Sequence, residues 1–324
     1  SYDYLIDQST SDLGIFIQSD WSLLPNLSLL SGVRMDKHNL VESPVLSPRA
    51  SLLYKLKKNT QFRLSYGSGF RAPQAFDTDL HIAFAGGGVS RVTLSPTLAP
   101  ENSNSYSASI NIDKPYEHFI AGFTLEGFYT RLNNAFYLQP VGEDEFGYLF
   151  EKQNGQGATI QGATFEFRLN YDRKIQLEGG FTLQSNNFDD PVQYIDGLPG
   201  VREFIRTPND YGFALLSFTP NKKINGSINY VYTGPMLVPH FAGAPNQIVD
   251  EMTSSNSFSE LSSKISYTLS LKKSNLNLEL YLGVKNILNA YQKQFDIGKN
   301  RDSNFIYGPA QPRTLFVGIK LLSL

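Results

Sequence analysis

Apolar and polar side chains alternate along nearly every stretch of the chain, and a period of two marks a strand whose two faces meet different media. From Thr60 to Arg71 the pattern is cleanest. Phe62, Leu64, Tyr66 and Phe70 fall on one row, and Gln61, Arg63, Ser65, Gly67, Gly69 and Arg71 fall on the other. Comparable rows recur as Leu13, Ile15, Ile17 and Trp21, as Phe165, Phe167 and Leu169, as Tyr211, Phe213 and Leu215, and as Leu315, Val317, Ile319 and Leu321. Thirteen such segments can be read along the chain, each near the about 9 to 11 residues that a tilted membrane strand needs.

The polar rows show what the second face meets. They read Thr164, Glu166, Arg168, Asn170, then Gln176, Glu178, Thr182, Gln184, then Asn277, Glu279, Lys285. Water or a polar lumen fits such rows, whereas a soluble sandwich would pack its inner faces together with strands of about 5 to 6 residues. No run approaches the about 20 apolar residues of a spanning helix, so a membrane location requires a barrel. No basic stretch followed by an apolar core opens the chain, and any leader is expected to have been removed or to lie outside this sequence.

Composition narrows the chemistry. The 324 residues contain no cysteine, which excludes disulfides, thiolate-held zinc, iron–sulfur clusters and thiol nucleophiles. A formal net charge of −2 argues against a nucleic-acid partner. Aromatics at 13% and 26 glycines are a strand-and-turn composition.

Connections alternate short and long. The short ones are Leu24-Pro25-Asn26, Lys57-Lys58-Asn59, Lys114 to His118, Asp172-Arg173-Lys174, Pro220-Asn221-Lys222 and Lys272 to Asn275, and the long ones lie around 36–46, 72–103, 132–160, 185–209, 234–257 and 288–312. Outer-membrane barrels have tight periplasmic turns and long external loops. The last strand runs toward the short-turn side, which makes the C-terminus periplasmic. A periplasmic N-terminus then needs an even count, so Tyr2 to Asp7 is the expected extra strand and about fourteen are predicted.

At this point the residues resemble a known family. Ile15-Phe16-Ile17-Gln18-Ser19-Asp20-Trp21, Gly32-Val33-Arg34-Met35-Asp36, Phe70-Arg71-Ala72-Pro73, Leu98-Ala99-Pro100-Glu101, Val284-Lys285-Asn286-Ile287-Leu288-Asn289 and Tyr307-Gly308-Pro309 follow one another in the order and spacing of the C-terminal barrel portion of TonB-dependent outer-membrane receptors, particularly those of Bacteroidetes. The resemblance runs the full length. It implies an all-β antiparallel transmembrane barrel and residues 1–324 as one partial barrel domain, with neither the plug nor the first strands of the 22-strand family barrel present. It also implies outer-membrane lipid and the barrel-insertion machinery as partners, and TonB only through a plug. The family terminus is usually aromatic, whereas this chain ends Leu322-Ser323-Leu324. Family members import iron–siderophore complexes, haem or cobalamin and are not enzymes. Ferric siderophore or haem is thus the implied ligand, and a cobalamin receptor barrel, a plug-less passive pore, a nonfunctional remnant or a soluble β-rich binding protein are the alternatives.

A spanning sheet with bare edges exposes backbone groups to hydrocarbon at several kcal/mol each. The strands are therefore expected to close into a smaller barrel around a polar lumen.

Candidate residues follow from the same boxes. The resemblance implies that His81, between the two boxes around Arg71 and Pro100, ligates haem iron, for which neutral imidazole is suited; the competing assignment is a solvated loop histidine. Arg71 and Asp77 are further ligand-binding candidates. Phe70, Arg71, Ala72, Pro73, Pro100, Glu101 and Asn286 form the structural motif, with Pro73 ending its strand and Arg71 pairing with wall carboxylates or, in a full receptor, with the plug. Residues 83–88, with three successive glycines, lack a following helix and a Lys-Ser/Thr ending, so they read as loop rather than phosphate cradle. Glu126, Glu166, Glu178 and Glu279 are spread along strand rows as in a solvated wall, not paired as in a glycosidase. Asp189, Asp190, Asp196, Asn300, Arg301 and Asp302 fall in long loops, where turn chemistry competes with Ca²⁺ or substrate binding. Trp21, Tyr66, Tyr129, Tyr171, Tyr232 and Tyr307 are expected in interfacial girdles.

Overall fold

The computed structural model describes residues 8–73, 91–144, 147–271, 275–298, 301–302 and 305–323. Its strands are β1 (Asp12–Leu24), β2 (Leu27–His38), β3 (Val45–Lys57), β4 (Thr60–Arg71), β5 (Arg91–Leu94), β6 (Glu101–Pro115), β7 (Phe119–Asn133), β8 (Phe136–Asp144), β9 (Gly147–Asn154) and β10 (Gly157–Tyr171). They continue with β11 (Ile175–Val192), β12 (Val201–Glu203), β13 (Asp210–Asn221), β14 (Ile224–Thr233), β15 (Leu237–His240), β16 (Glu251–Ser254), β17 (Phe258–Leu271), β18 (Leu276–Lys285) and β19 (Thr314–Ser323).

One antiparallel sheet runs β1-β2-β3-β4-β6-β7-β10-β11-β13-β14-β17-β18-β19, with β12 attached to β11. These thirteen wall strands coincide with the thirteen alternating segments of the sequence. The expected strand at Tyr2 to Asp7 lies outside the described residues. Closure into a smaller barrel does not occur: among the described residues β1 and β19 pair on one side only. Closing a sheet needs its first and last strands to share a ladder at the tilt and stagger that the strand number sets, and the pairing of these thirteen strands leaves that ladder unmade among the described residues.

Short turns are built by local side chains. Asn221 Oδ1 accepts hydrogen bonds from Lys223 N at 2.8 Å and Ile224 N at 3.1 Å, while Asp172 and Arg173 take φ of +48° and +57°. An Asx bond and two left-handed residues reverse the chain without a longer loop.

Register carries the two rows across the wall. Leu52, Leu64, Ala108, Gly127, Ala163 and Leu183 stand opposite one another from β3 to β11. The adjacent polar row is tied by Ser51 Oγ to Ser65 Oγ at 3.0 Å, Thr164 Oγ1 to Thr182 Oγ1 at 2.9 Å, and Arg168 Nη2 to Asp113 Oδ1 at 3.0 Å. Glu126, Glu166, Glu178 and Glu279 lie on this polar row.

On β13 the rows are exchanged relative to expectation. Phe181 and Leu177 of the apolar row pair with Gly212 and Leu216, while Thr182, Gly180 and Glu178 pair with Tyr211, Phe213 and Leu215. A Cβ at Gly180 would stand 3.0 Å from Phe213 Cε1 and 3.4 Å from Glu166 Cγ, which places Phe213 among polar-row groups. The strand offers apolar residues on both parities, so its own alternation cannot choose a face and the neighbouring register decides. Phe128 opposite Gly162, Tyr281 opposite Gly318 and Phe316 opposite Gly283 also lie on the polar row, each covering a glycine across the strand pair.

The long connections fold into structures of their own. β5, β9 and β8 form a three-stranded sheet in which β5 runs parallel to β9, and β15 pairs with β16. Buried apolar residues collect there. Ala135, Ala158, Phe188 and Val192 form one cluster, and Met236, Val238 and Phe305 form another. The apolar row of the wall is instead exposed, with Leu315 and Val317 at 78% and 83%.

Candidate functional site

The long-connection end of the wall concentrates the charged and polar chemistry, and Arg71 stands at its centre. As the last residue of β4 it faces Glu101, the first of β6, with Nε 3.8 Å from Oε1. Its guanidinium carbon lies 4.7 Å from the centre of the Phe136 ring, in cation–π range. Glu101 Oε2 also accepts the Phe136 backbone N–H at 2.9 Å, so one carboxylate holds both the arginine and the ring it covers. Lys152 Nζ lies 5.2 Å from the same ring, and its side chain is buried.

Ala72 and Pro73 are buried just past the strand end, and Phe70 stands opposite Asn102. Pro100 O accepts Asn102 Nδ2 at 3.2 Å and Asn134 Nδ2 at 3.4 Å. The two boxes separated in sequence thus form one knot at the β4–β6 rim, with the β5-β9-β8 sheet mounted on it. Asp77 and His81 lie outside the described residues, as do residues 83–88.

Asp189 is engaged by Arg131, which gives Nη1 to Oδ1 at 2.6 Å and Nη2 to Oδ2, a bidentate pair that takes its lone pairs. Asp196 caps its own turn through Gly197 N at 3.0 Å. Arg301 Nη1 donates to Gly298 O at 3.2 Å, and Asp302 Oδ2 accepts Phe241 N at 2.9 Å. Asn300 lies outside the described residues. Among the described residues no cluster of three or more histidine and acidic side chains could hold a metal ion.

Asn286 acts as a loop lock at the end of β18. With φ of +49° it donates Nδ2 to Ala290 O at 3.0 Å and to Gln311 O at 2.9 Å, and accepts Ala290 N at 2.9 Å. Tyr307 is not in a girdle. It sits in the β18–β19 connection with its ring 5.0 Å from Phe305 and 6.2 Å from Phe258.

The pair His240 and Asp296 has no local sequence signal, for the two are 56 residues apart. His240 Nε2 lies 3.0 Å from Asp296 Oδ2, and its ring stacks on Phe305 at 3.5 Å and 3°. Asp296 Oδ2 also accepts Asp302 N at 3.1 Å, and Asn246 Nδ2 reaches Oδ1 at 3.4 Å. These bonds fasten the β15–β16 hairpin to the last long connection. Burial depresses the Arg206 pKa, partly offset by Asp302, and raises the phenols of Tyr194 and Tyr307.

Residues 2–287 match the family model described as TonB dependent receptor-like, beta-barrel. The chain belongs to this TonB-dependent receptor family. No curated protein sequence matches it. The fold is shared with the ferric enterobactin receptor of Pseudomonas aeruginosa, at a TM-score of 0.66 and 16% identity over 97% of this chain and 45% of that one. It is shared as well with the siderophore receptor PirA of Acinetobacter baumannii, at 0.65 and 16% over 97% of this chain and 46% of that one. The FrpB iron transporter of Neisseria meningitidis gives 0.63 and 15% over 97% of this chain and 45% of that one.

The receptor barrel therefore spans about half the length of these solved structures. Its thirteen wall strands form an open sheet among the described residues. The family is one of outer-membrane receptors and transporters, so the exposed apolar row meets hydrocarbon and the polar row faces a lumen.

Proposed function

We propose that this receptor barrel is part of the wall through which an iron chelate of the ferric siderophore class crosses the outer membrane. The observation that carries this is the joined rim of Arg71, Glu101 and Phe136, a half-exposed cation over a ring at the lumen mouth. The names of structurally similar proteins support the ligand class, since they are siderophore receptors and an iron transporter. In this assignment the short turns and the C-terminus are periplasmic, the folded connections face outward, and Arg71 with Asp77 and His81 contributes to the ligand path. The full protein would carry a plug coupled to TonB and would be placed by the barrel-insertion machinery, as in a Bacteroidetes-type receptor. Among the described residues the outer edges of β1 and β19 have no partner strand, which supports completion of the wall by further strands, because bare ladders do not persist in hydrocarbon.

The test is uptake of labelled iron by cells with and without the gene, under iron limitation, from ferric catecholates, ferric hydroxamates and haem in turn, with labelled cobalamin as a further arm. TonB-dependent loss of one ferric siderophore in the deletion strain is expected. Unchanged uptake of every iron source, a deficit confined to cobalamin, or entry that persists without TonB would overturn the assignment.

A further inference from the structure

Exposed cations recur at the short-turn end of the wall. Lys57 and Lys58, Lys114, Arg173 and Lys174, and Lys222 and Lys223 fall at four successive short connections, β3–β4, β6–β7, β10–β11 and β13–β14, and all seven are exposed. Four arginines elsewhere in the wall are paired with carboxylates: Arg34 with Asp36, Arg131 with Asp189, Arg168 with Asp113 and Arg71 with Glu101. At the short turns, among the described residues, none of the seven cationic side chains meets a carboxylate. Of the acids nearby, Asp113 meets Arg168, and Asp172 and Glu117 lie 3.4 and 4.0 Å from His118.

A second feature lies beside them. Tyr116 stacks on Phe119 at 4.4 Å and 15°, and Tyr54 and Tyr171 are exposed on the apolar row within three residues of the turn cations. Rings of this kind sit at the level of lipid headgroups, and lysine and arginine beyond them reach into the phosphate layer on flexible stems. Unpaired cations, an aromatic boundary and continuity with the lipid-facing row converge on one ligand chemistry.

We propose that the short-turn rim is a binding surface for anionic phospholipid headgroups, whose phosphates occupy the unpaired cations of Lys57, Lys58, Arg173, Lys174, Lys222 and Lys223. The inference rests on the wall spanning a bilayer. A free phosphodiester is a strong acceptor for these donors, and seven exposed cations on one rim set up a local positive potential on a chain whose formal net charge is −2. The rim then recruits a shell of acidic lipid around the periplasmic end and seats the wall at a defined depth.

Native mass spectrometry of the whole receptor, its wall completed by its further strands and reconstituted into vesicles of mixed phosphatidylglycerol and phosphatidylcholine, tests this. The wild-type chain should retain phosphatidylglycerol several-fold above its bulk proportion, and the variant carrying Lys57→Gln, Lys58→Gln, Lys222→Gln and Lys223→Gln should retain it near the bulk proportion. Retention at the bulk ratio by the wild type, or an unchanged preference in the variant, would overturn the proposal. Cation-dependent retention on peptidoglycan sacculi with no lipid preference would assign the rim to that polymer and overturn it as well. Trp21, the single tryptophan, provides the separate control on insertion. Quenching by brominated acyl chains with no headgroup preference would sink the lipid site alone, whereas an unquenched Trp21 would remove the membrane assignment on which it rests.

Discussion

Asn154 hydrogen-bonds both backbone groups of Ala99, donating Nδ2 to its carbonyl at 2.9 Å and accepting its N–H on Oδ1 at 2.7 Å. The side-chain amide takes the place of a neighbouring strand. Through a further bond from Nδ2 to Asn134 O at 2.8 Å, one residue at the end of β9 holds the Leu98-Ala99-Pro100-Glu101 box against the β7 rim.

Asn154→Ala leaves these part-buried backbone groups without their partner, at about 1 to 3 kcal/mol for each one that water does not satisfy. The expected outcome is faster protease cleavage around residues 91–100 with unchanged β-sheet content by circular dichroism. Asn154→Asp keeps the acceptor but sets a carboxylate oxygen against the Ala99 and Asn134 carbonyls, and should be at least as disruptive as alanine.

The exchanged rows of β13 make a labelling prediction that needs no background correction, since the chain has no cysteine. In the folded, membrane-inserted protein Phe213→Cys should react with a charged, membrane-impermeant maleimide. Leu216→Cys should not, and should instead be quenched by lipid-borne labels. The reverse pattern would restore the row that the alternation alone predicts.

Removing the histidine side of the His240–Asp296 pair should loosen the cap and spare the wall. His240→Phe keeps a ring to stack on Phe305 but withdraws the hydrogen bond to a buried carboxylate, a loss of about 2 kcal/mol. Hydrogen exchange should accelerate in 237–254 and 288–302, with the amides of β6 and β7 unchanged.

Tyr194 sets an alkaline limit on the same cap. Burial raises its phenol above the usual value of 10, so the folded side chain stays neutral at a pH where the unfolded one ionises. The contribution is intact below pH 10 and is lost as pH rises beyond it, by about 1.4 kcal/mol per pH unit from this group. Opening of 185–209, followed by hydrogen exchange, should steepen above pH 10, and Tyr194→Phe should remove that part of the slope.

The wall was readable residue by residue wherever one parity is apolar and the other is not, as in Phe62, Leu64 and Tyr66 against Gln61, Arg63 and Ser65. It failed at β13, where Tyr211, Phe213 and Leu215 compete with Ala214, Leu216 and Phe218 and only hydrogen-bond register to β11 breaks the tie. Tyr307 failed for another reason. An aromatic near a strand end serves equally as a girdle residue or a loop core, and its packing on Phe305 is a tertiary fact. The candidate site divided likewise. Arg71 and Glu101 could be named from their boxes, but that they share Phe136 could not.

Period-two alternation, the rhythm of short and long connections and the spacing of the boxes determined by themselves the antiparallel wall, its two media and its family. These are local properties, set by a side-chain direction that reverses at every residue. The tertiary structure alone decided the face of β13, the absence of closure between β1 and β19, and the fastening of the cap by Asn154 and His240. Each of these depends on which distant backbone lies alongside, and contacts across 55 or 56 residues leave no periodic trace in the chain.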